Sequence, residues 1–209
     1  MKKDIAKALL EIEAVFLKID EPFTWASGIK SPIYCDNRLT LSKPKSRTLI
    51  ETSFARLINE NYPECDCIVG TATAGIGHAA IIAHIMEKPM AYVRSSAKGH
   101  GRQNLIEGEI KPNSKVVVIE DLISTGKSSI ECVQALQDNG IEVLAVCAIF
   151  TYGMQKSVDN FADNNIVLKT LTDLDTLLDV ASENNYIKES DITRVKVFRD
   201  NPSDESWIK

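Results

Sequence analysis

The chain of 209 residues lacks any apolar run near the roughly 18 residues of a membrane-spanning helix, so a helical span is not expected. It also lacks the continuous apolar core of a signal peptide. Met1-Lys2-Lys3-Asp4 leads instead into an amphipathic pattern of Ile5, Leu9, Ile12 and Phe16. Cysteines with metal-ligand spacing are missing. The five present (Cys35, Cys65, Cys67, Cys132, Cys147) are odd in number and scattered, which fits a reduced, cytoplasmic compartment. Positive charge is scarce, with a net charge of −5, and this argues against nonspecific nucleic-acid binding. Neither nucleic acid nor membrane is an expected partner, and an anionic substrate would need a local positive patch. Repeats, low-complexity segments and clear linkers are absent too.

What is there is concentrated between Val116 and Ser129. Val116 to Ile119 is a short apolar, β-branched run, the pattern of a strand covered on both faces. It is followed by Glu120 and Asp121, two apolar residues, then Ser124-Thr125-Gly126-Lys127-Ser128-Ser129. That turn lets backbone N–H groups converge where a helix begins, a place that suits phosphate. Acids at the carboxyl end of a strand lie where open α/β sheets bind ligands. Beside a phosphate cradle they suit something electropositive or rich in hydroxyls, such as a ribose or a hydrated Mg²⁺. Gly126-Lys127-Ser128 ends like a P-loop, but the glycine that motif needs five positions earlier is Asp121, whose charge would face the β-phosphate. An ordinary strand–turn–helix with Ser124 or Thr125 as N-cap explains the small residues but not the adjacent acids.

Along the chain, helix is expected over 3–18 and a hairpin-like segment from Phe23 to Asp36, with turns at Ser27-Gly28 and Ser31-Pro32. A helix capped by Ser42, with Pro44 in its first turn, runs to about Asn61. A strand over Cys67–Gly70 precedes a helix to about Met86, and Met90–Arg94 is the next strand. Ser95 to Gly108 reads as a long polar loop. Strand 115–120, helix 126–139, strand 142–150, helix 154–163, strand 166–171, helix 172–184 and a helix near 189–199 follow. The alternation predicts an α/β fold, a mainly parallel twisted sheet with helices on both faces. Residues 1–40 would form a helix and hood over the strand ends and 41–209 the core, with a mobile lid near 95–108.

Two further segments could serve a site. Val69-Gly70-Thr71-Ala72-Thr73-Ala74-Gly75 is a second strand-to-helix turn of small residues, open to an anion or simply suited to tight helix–sheet packing. The loop from Arg94 to Asn104 gathers Arg94, Lys98, His100 and Arg102 around Gly99 and Gly101, as lids and binding loops do.

The 116–129 motif resembles the phosphoribosyl-pyrophosphate (PRPP) signature of type I phosphoribosyltransferases. Tyr-x-Arg-x-x-x-Lys-x-His-Gly, Tyr92 through Gly101, is similar to the lid of orotate phosphoribosyltransferases. Phe23 to Arg38 resembles their Thr-x-x-Ser-Gly-x-x-Ser-Pro segment beside the orotate pocket. The resemblance covers nearly the whole chain, with the motifs in order. It implies a Mg²⁺-dependent transfer of phosphoribosyl from PRPP to N1 of orotate, giving orotidine 5′-monophosphate and pyrophosphate in pyrimidine biosynthesis. It also implies a homodimer whose lids reach the neighbouring site. Arg94, Lys98 and His100 would contact PRPP, Thr71-Ala72-Thr73 the pyrophosphate, Glu120 and Asp121 the ribose, and Leu122, Ile123, Ser124, Thr125, Gly126, Lys127 and Ser128 the 5-phosphate loop. Ser124, Lys30 and Tyr34 would line the orotate pocket. Lys98, His100 and Asp121 would be catalytic, and Mg²⁺ would be held mainly through PRPP rather than by the protein.

Four positions depart from the family. Lys127 stands where a small residue is frequent; Ser95 and Ala26 stand where many relatives carry lysine. Phe150-Thr151-Tyr152-Gly153 lacks the arginine that many use to hold the orotate carboxylate. The alternatives are a phosphoribosyltransferase for a purine or uracil, against which Ser27-Gly28 to Asp36 argues, and a non-catalytic PRPP-sensing regulator, against which the net charge and the lid argue.

Overall fold

Val116 to Ile119 are all fully buried, as the β-branched run predicts, and their side chains alternate between two cores. Val117 and Ile119 enter one apolar cluster and Val116 and Val118 the other, the period of two of a strand covered on both faces. Each such side chain contributes about 1.5–3 kcal/mol by leaving water. The computed structural model describes residues 1–25, 27–95 and 105–208.

The elements are α1 (Lys2–Glu11), β1 (Val15–Leu17), β2 (Phe23–Thr24), β3 (Lys30–Ser31), β4 (Ile33–Cys35), α2 (Pro44–Asn61), β5 (Cys67–Thr71), α3 (Ala74–Ile85), β6 (Met90–Val93), β7 (Ile106–Glu107), β8 (Lys115–Ile123), α4 (Lys127–Gln137), β9 (Glu142–Thr151), α5 (Gln155–Asp163), β10 (Leu168–Asp173), α6 (Leu174–Glu183) and α7 (Glu189–Asp200). Six strands form one sheet in the order β10-β9-β8-β5-β6-β7. All neighbours are parallel except β6 and β7. From β5 the chain moves outward to β6 and β7, then returns to lay β8 on β5's other side. The strand order therefore reverses at β5 and β8, where open sheets leave a crevice for ligands. Buried residues of α1, α2, α3, α6 and α7 cover one face, and those of α4 and α5 the other.

Several boundaries differ from the expectation. The first helix stops at Glu11, and residues 15–17 form a strand paired with β4. Glu13 turns the chain with φ at 56°, its N–H bonding Leu10 O while the Ala14 N–H bonds Leu9 O. That is a Schellman closure, with glutamate where glycine usually signals the stop. Lys43 rather than Ser42 precedes α2, because Ser42 ends a 3-10 turn over Asn37–Ser42 and Pro44 opens the helix. Ile106 and Glu107 lie in what reads as loop, yet they pair antiparallel with Val93 and Tyr92. β8 does not end at its acids but runs on to Ile123.

The N-terminal segment divides its labour. Ile5 and Leu9 of α1 join the main core with Leu171 and Leu177. Residues 15–35 form the two small antiparallel pairs β1–β4 and β2–β3. Trp25 ties this hood down: its ring lies 5.6 Å from both Tyr152 and Phe198, and its indole N–H donates to Ile33 O at 3.2 Å.

Candidate active site

The carboxyl edges of β5 and β8 carry the two small-residue turns side by side. β5 pairs with β8 only as far as Gly70 opposite Ile119, and past that point β8 continues against β9 alone. The chain leaving β5 passes through Thr71-Ala72-Thr73, where the Ala72–Thr73 peptide is cis, into α3. Gly75, in the first turn of α3, sits so close to β8 that a methyl group there would stand 2.3 Å from Ile119 O. The small residues of this turn thus serve close helix–strand packing as well as leaving backbone exposed at a helix start.

Glu120 and Asp121 lie in the part of β8 that runs past β5 and pairs with β9 alone. As neighbours on a strand they point to opposite faces. Glu120 is 5% exposed. Its carboxyl accepts the hydroxyls of Ser128 at 3.3 Å and Ser129 at 3.2 Å, and the Asp121 main-chain N–H at 3.0 Å. Burial, with the Asp121 charge beside it, pushes Glu120 up to about 8. Asp121 remains half-buried at the surface of the crevice.

The next turn is built by Gly126, at the N-cap of α4 with φ at 79°, a backbone that favours glycine. Neither Ser124 nor Thr125 caps the helix by its side chain. Asn160 of α5 braces the turn, its amide donating to Thr125 O at 2.8 Å. Lys127 points to solvent and lies 3.8 Å from Glu131 one turn on.

Across the crevice a cleft of about 650 Å³ is lined by Thr71, Ala72, Arg94, Ser95, Ser128 and Cys132, among others. It brings together the first turn, the start of α4 and the residues that lead into the basic loop. Arg94 pairs with Glu107 at 3.0 Å, across the β6–β7 stem. Lys98 and His100 lie outside the described residues. Lys30, on the β2–β3 hairpin, is exposed and donates to Thr24 Oγ1 at 2.8 Å. Tyr34, on β4, is 41% exposed, with its ring 5.7 Å from Phe23.

Two residues that lie within the motifs but were given no individual role make the contacts that matter here. Ser129 bonds Glu120 from the first turn of α4; its place next to Ser128 was the available signal. Asn37, wholly buried, donates its amide to Asp121 O at 2.7 Å, a contact between residues 84 positions apart that no local pattern reveals. The cysteines are all buried and free, with no disulfide among them. Among the described residues no helix is long and apolar enough to cross a membrane.

Residues 41–175 match the phosphoribosyl transferase domain family. Over 209 residues the chain is 54% identical to an orotate phosphoribosyltransferase of Listeria innocua, covering 100% of this chain and 99% of that one. It is 55% identical over 207 residues to an orotate phosphoribosyltransferase of Enterococcus faecalis, covering 99% and 98%. Among solved structures, orotate phosphoribosyltransferase from Aeropyrum pernix superposes with a TM-score of 0.76 at 26% identity, over 88% of this chain and 99% of that one.

Proposed function

The chain belongs to the type I phosphoribosyltransferases and, within them, to the orotate phosphoribosyltransferase family, and from that premise we infer that it transfers the phosphoribosyl group of PRPP to N1 of orotate. The products are orotidine 5′-monophosphate and pyrophosphate. Beyond the relatives, one arrangement supports this reading: two small-residue turns at helix starts flank a pair of acids on the carboxyl edge of β5 and β8. A ribose with phosphate groups at both ends suits that arrangement of two helix starts around acids.

The residue roles are proposals. Thr71, Ala72 and Thr73 receive the pyrophosphate, and Ser124 to Ser128 the 5-phosphate, with Leu122 and Ile123 carrying the chain between acids and loop. Asp121 holds the ribose hydroxyls and stabilises positive charge as C1 loses pyrophosphate. Glu120 is proposed to hold the ribose with Asp121, and its bonds to Ser128 and Ser129 also tie the start of α4 to β8. Arg94, Lys98 and His100 neutralise the leaving group, with His100 able to give pyrophosphate a proton. Lys30, Tyr34 and Ser124 line the orotate side. Lid closure excludes water that would hydrolyse PRPP.

Mg²⁺ fits this chemistry. The carboxyl and hydroxyl groups of the crevice are hard oxygen donors, and among the described residues no three acidic, histidine or cysteine side chains gather around one point. We propose that PRPP oxygens and water supply most of its ligands, and that when bound it would offset charge on the leaving pyrophosphate. We further propose a cytoplasmic homodimer with shared lids, residues 1–40 acting as hood and 41–209 as core.

The test is the absorbance of orotate on adding PRPP, Mg²⁺ and protein, with a no-Mg²⁺ control and with uracil, hypoxanthine and adenine in parallel. Mg²⁺-dependent loss of the orotate signal alone is expected. Turnover of another base instead overturns the substrate, and PRPP binding without turnover overturns the enzyme.

A further inference from the structure

β8 continues past the end of β5, and the carbonyls on that side of the strand need other partners. The Ile119 carbonyl takes the Thr71 hydroxyl at 3.2 Å. Two residues on, the Asp121 carbonyl takes the Asn37 amide at 2.7 Å. These two side chains thus stand where a longer β5 would have placed backbone N–H groups. Asn37 is wholly buried, and the Cys35 thiol donates to its Oδ1 at 3.3 Å, which fixes which end of the carboxamide faces Asp121. The Asn37 main-chain carbonyl, apart from the carboxamide, accepts the Thr40 hydroxyl at 2.6 Å and holds the backbone at this position. The carboxamide therefore has a donor job and an acceptor job at once, which neither aspartate nor a hydrophobe of its size can fill.

We propose that Asn37 is a positioning residue that locks the hood, which presents Lys30 and Tyr34, to the main chain of Asp121. It thereby sets orotate against the ribose carbon it attacks. The inference rests on the function proposed above. β4 ends at Cys35, two residues before Asn37, so the lock acts directly on the strand bearing Tyr34. Asp121 keeps its place without Asn37, because β8 is still paired with β9 at Glu120 and Leu122. Losing the lock consequently loosens the hood at the end of β4, while Trp25 still holds its other side to Tyr152 and Phe198, and leaves the PRPP edge intact.

The experiment compares the intact enzyme with Asn37→Ala and Asn37→Asp in orotate absorbance kinetics, with melting curves alongside. Asn37→Ala is expected to raise the orotate KM at least tenfold and lower kcat, with the PRPP KM within twofold. In Asn37→Asp the introduced carboxylate opposes the Asp121 carbonyl. Its neutral form regains a donor, so activity relative to wild type should recover at least fivefold between pH 8.5 and pH 6. The introduced charge also bears on Cys35, Asp36, Glu120, Asp121 and Tyr152, so the ratio is read beside that of Asn37→Ser, which adds no carboxylate and is expected to stay flat. Equal rises in both KM values, or unchanged constants, overturn the proposal. Should Asn37→Ala fail to fold, the pH trend of Asn37→Asp decides, and a flat ratio overturns it. A wild type that does not consume orotate removes the functional assignment itself, and the inference with it.

Discussion

Gly75 is the point at which the fold and the turn proposed to hold pyrophosphate are least separable. A Cβ on Gly75 would lie 2.3 Å from Ile119 O and 3.2 Å from its carbonyl carbon, whereas ordinary contact begins at 3.4 Å. Both obstacles are backbone of a strand that is hydrogen-bonded on each side there, so they cannot swing away as a side chain can. The start of α3 must retreat by about 1 Å if Gly75→Ala is to fold. Overpacking of this kind costs about 1–3 kcal/mol, or roughly 2–12 °C in melting temperature for a chain of this size. The same retreat moves Thr71-Ala72-Thr73, and a displacement of about 1 Å in a positioning group costs on the order of 10²-fold in rate. Gly77→Ala is the control, since its nearest obstacle is the mobile end of Leu41 at 3.1 Å. Melting curves and orotate kinetics on both variants decide. A Gly75→Ala enzyme melting within 1 °C of wild type with kcat/KM within threefold would refute the argument.

Three other outcomes are expected. Glu120 has its carboxyl raised from 4.5 to about 8, so its neutral form stabilises the fold below pH 4.5 and that stability is lost as pH rises through 8. Glu120→Gln should flatten the fall in melting temperature between pH 5 and 9, a loss of at most about 5 kcal/mol in wild type, and an unaltered slope would assign it to other groups. Lys98→Ala should cut kcat by roughly 10²-fold or more while leaving the melting temperature within 1 °C, and unchanged turnover would refute its role. Glu13→Gly should relieve a left-handed backbone at φ 56° and raise the melting temperature by about 2–4 °C, for about 1 kcal/mol gained. A drop would show that the Glu13 side chain makes an unrecognised contact.

The sheet was legible because its strands are short apolar runs, and β5, β6, β8, β9 and β10 were each recognised to within about three residues. What was missed had no local signature. β1 hid inside the amphipathic pattern because Ile12 and Phe16 continue the helical spacing, and the stop falls at a glutamate. β7 is two residues long and exists only through its pairing with β6. Of the candidate site, Glu120, Asp121 and the turn that follows are adjacent in the chain, so their nearness was readable without the fold. Asn37 could not be read in that way, because its role depends on where β5 stops, a fact of the folded sheet.

That stopping point has a consequence for how such a site can change. β8 carries four residues, 120–123, beyond its last pairing with β5, so the sheet ends in a terrace instead of a straight margin. The step leaves room for a ligand, and its height is set by the relative lengths of two strands, independent of the side chains they carry. Adding two residues of strand to β5 would fill the step with main chain, displace Asn37 and close the crevice while every acid and hydroxyl kept its identity. Insertions at Thr71 should therefore be tolerated far less than substitutions around it, and the length of this edge becomes an inherited property as strict as any residue on it.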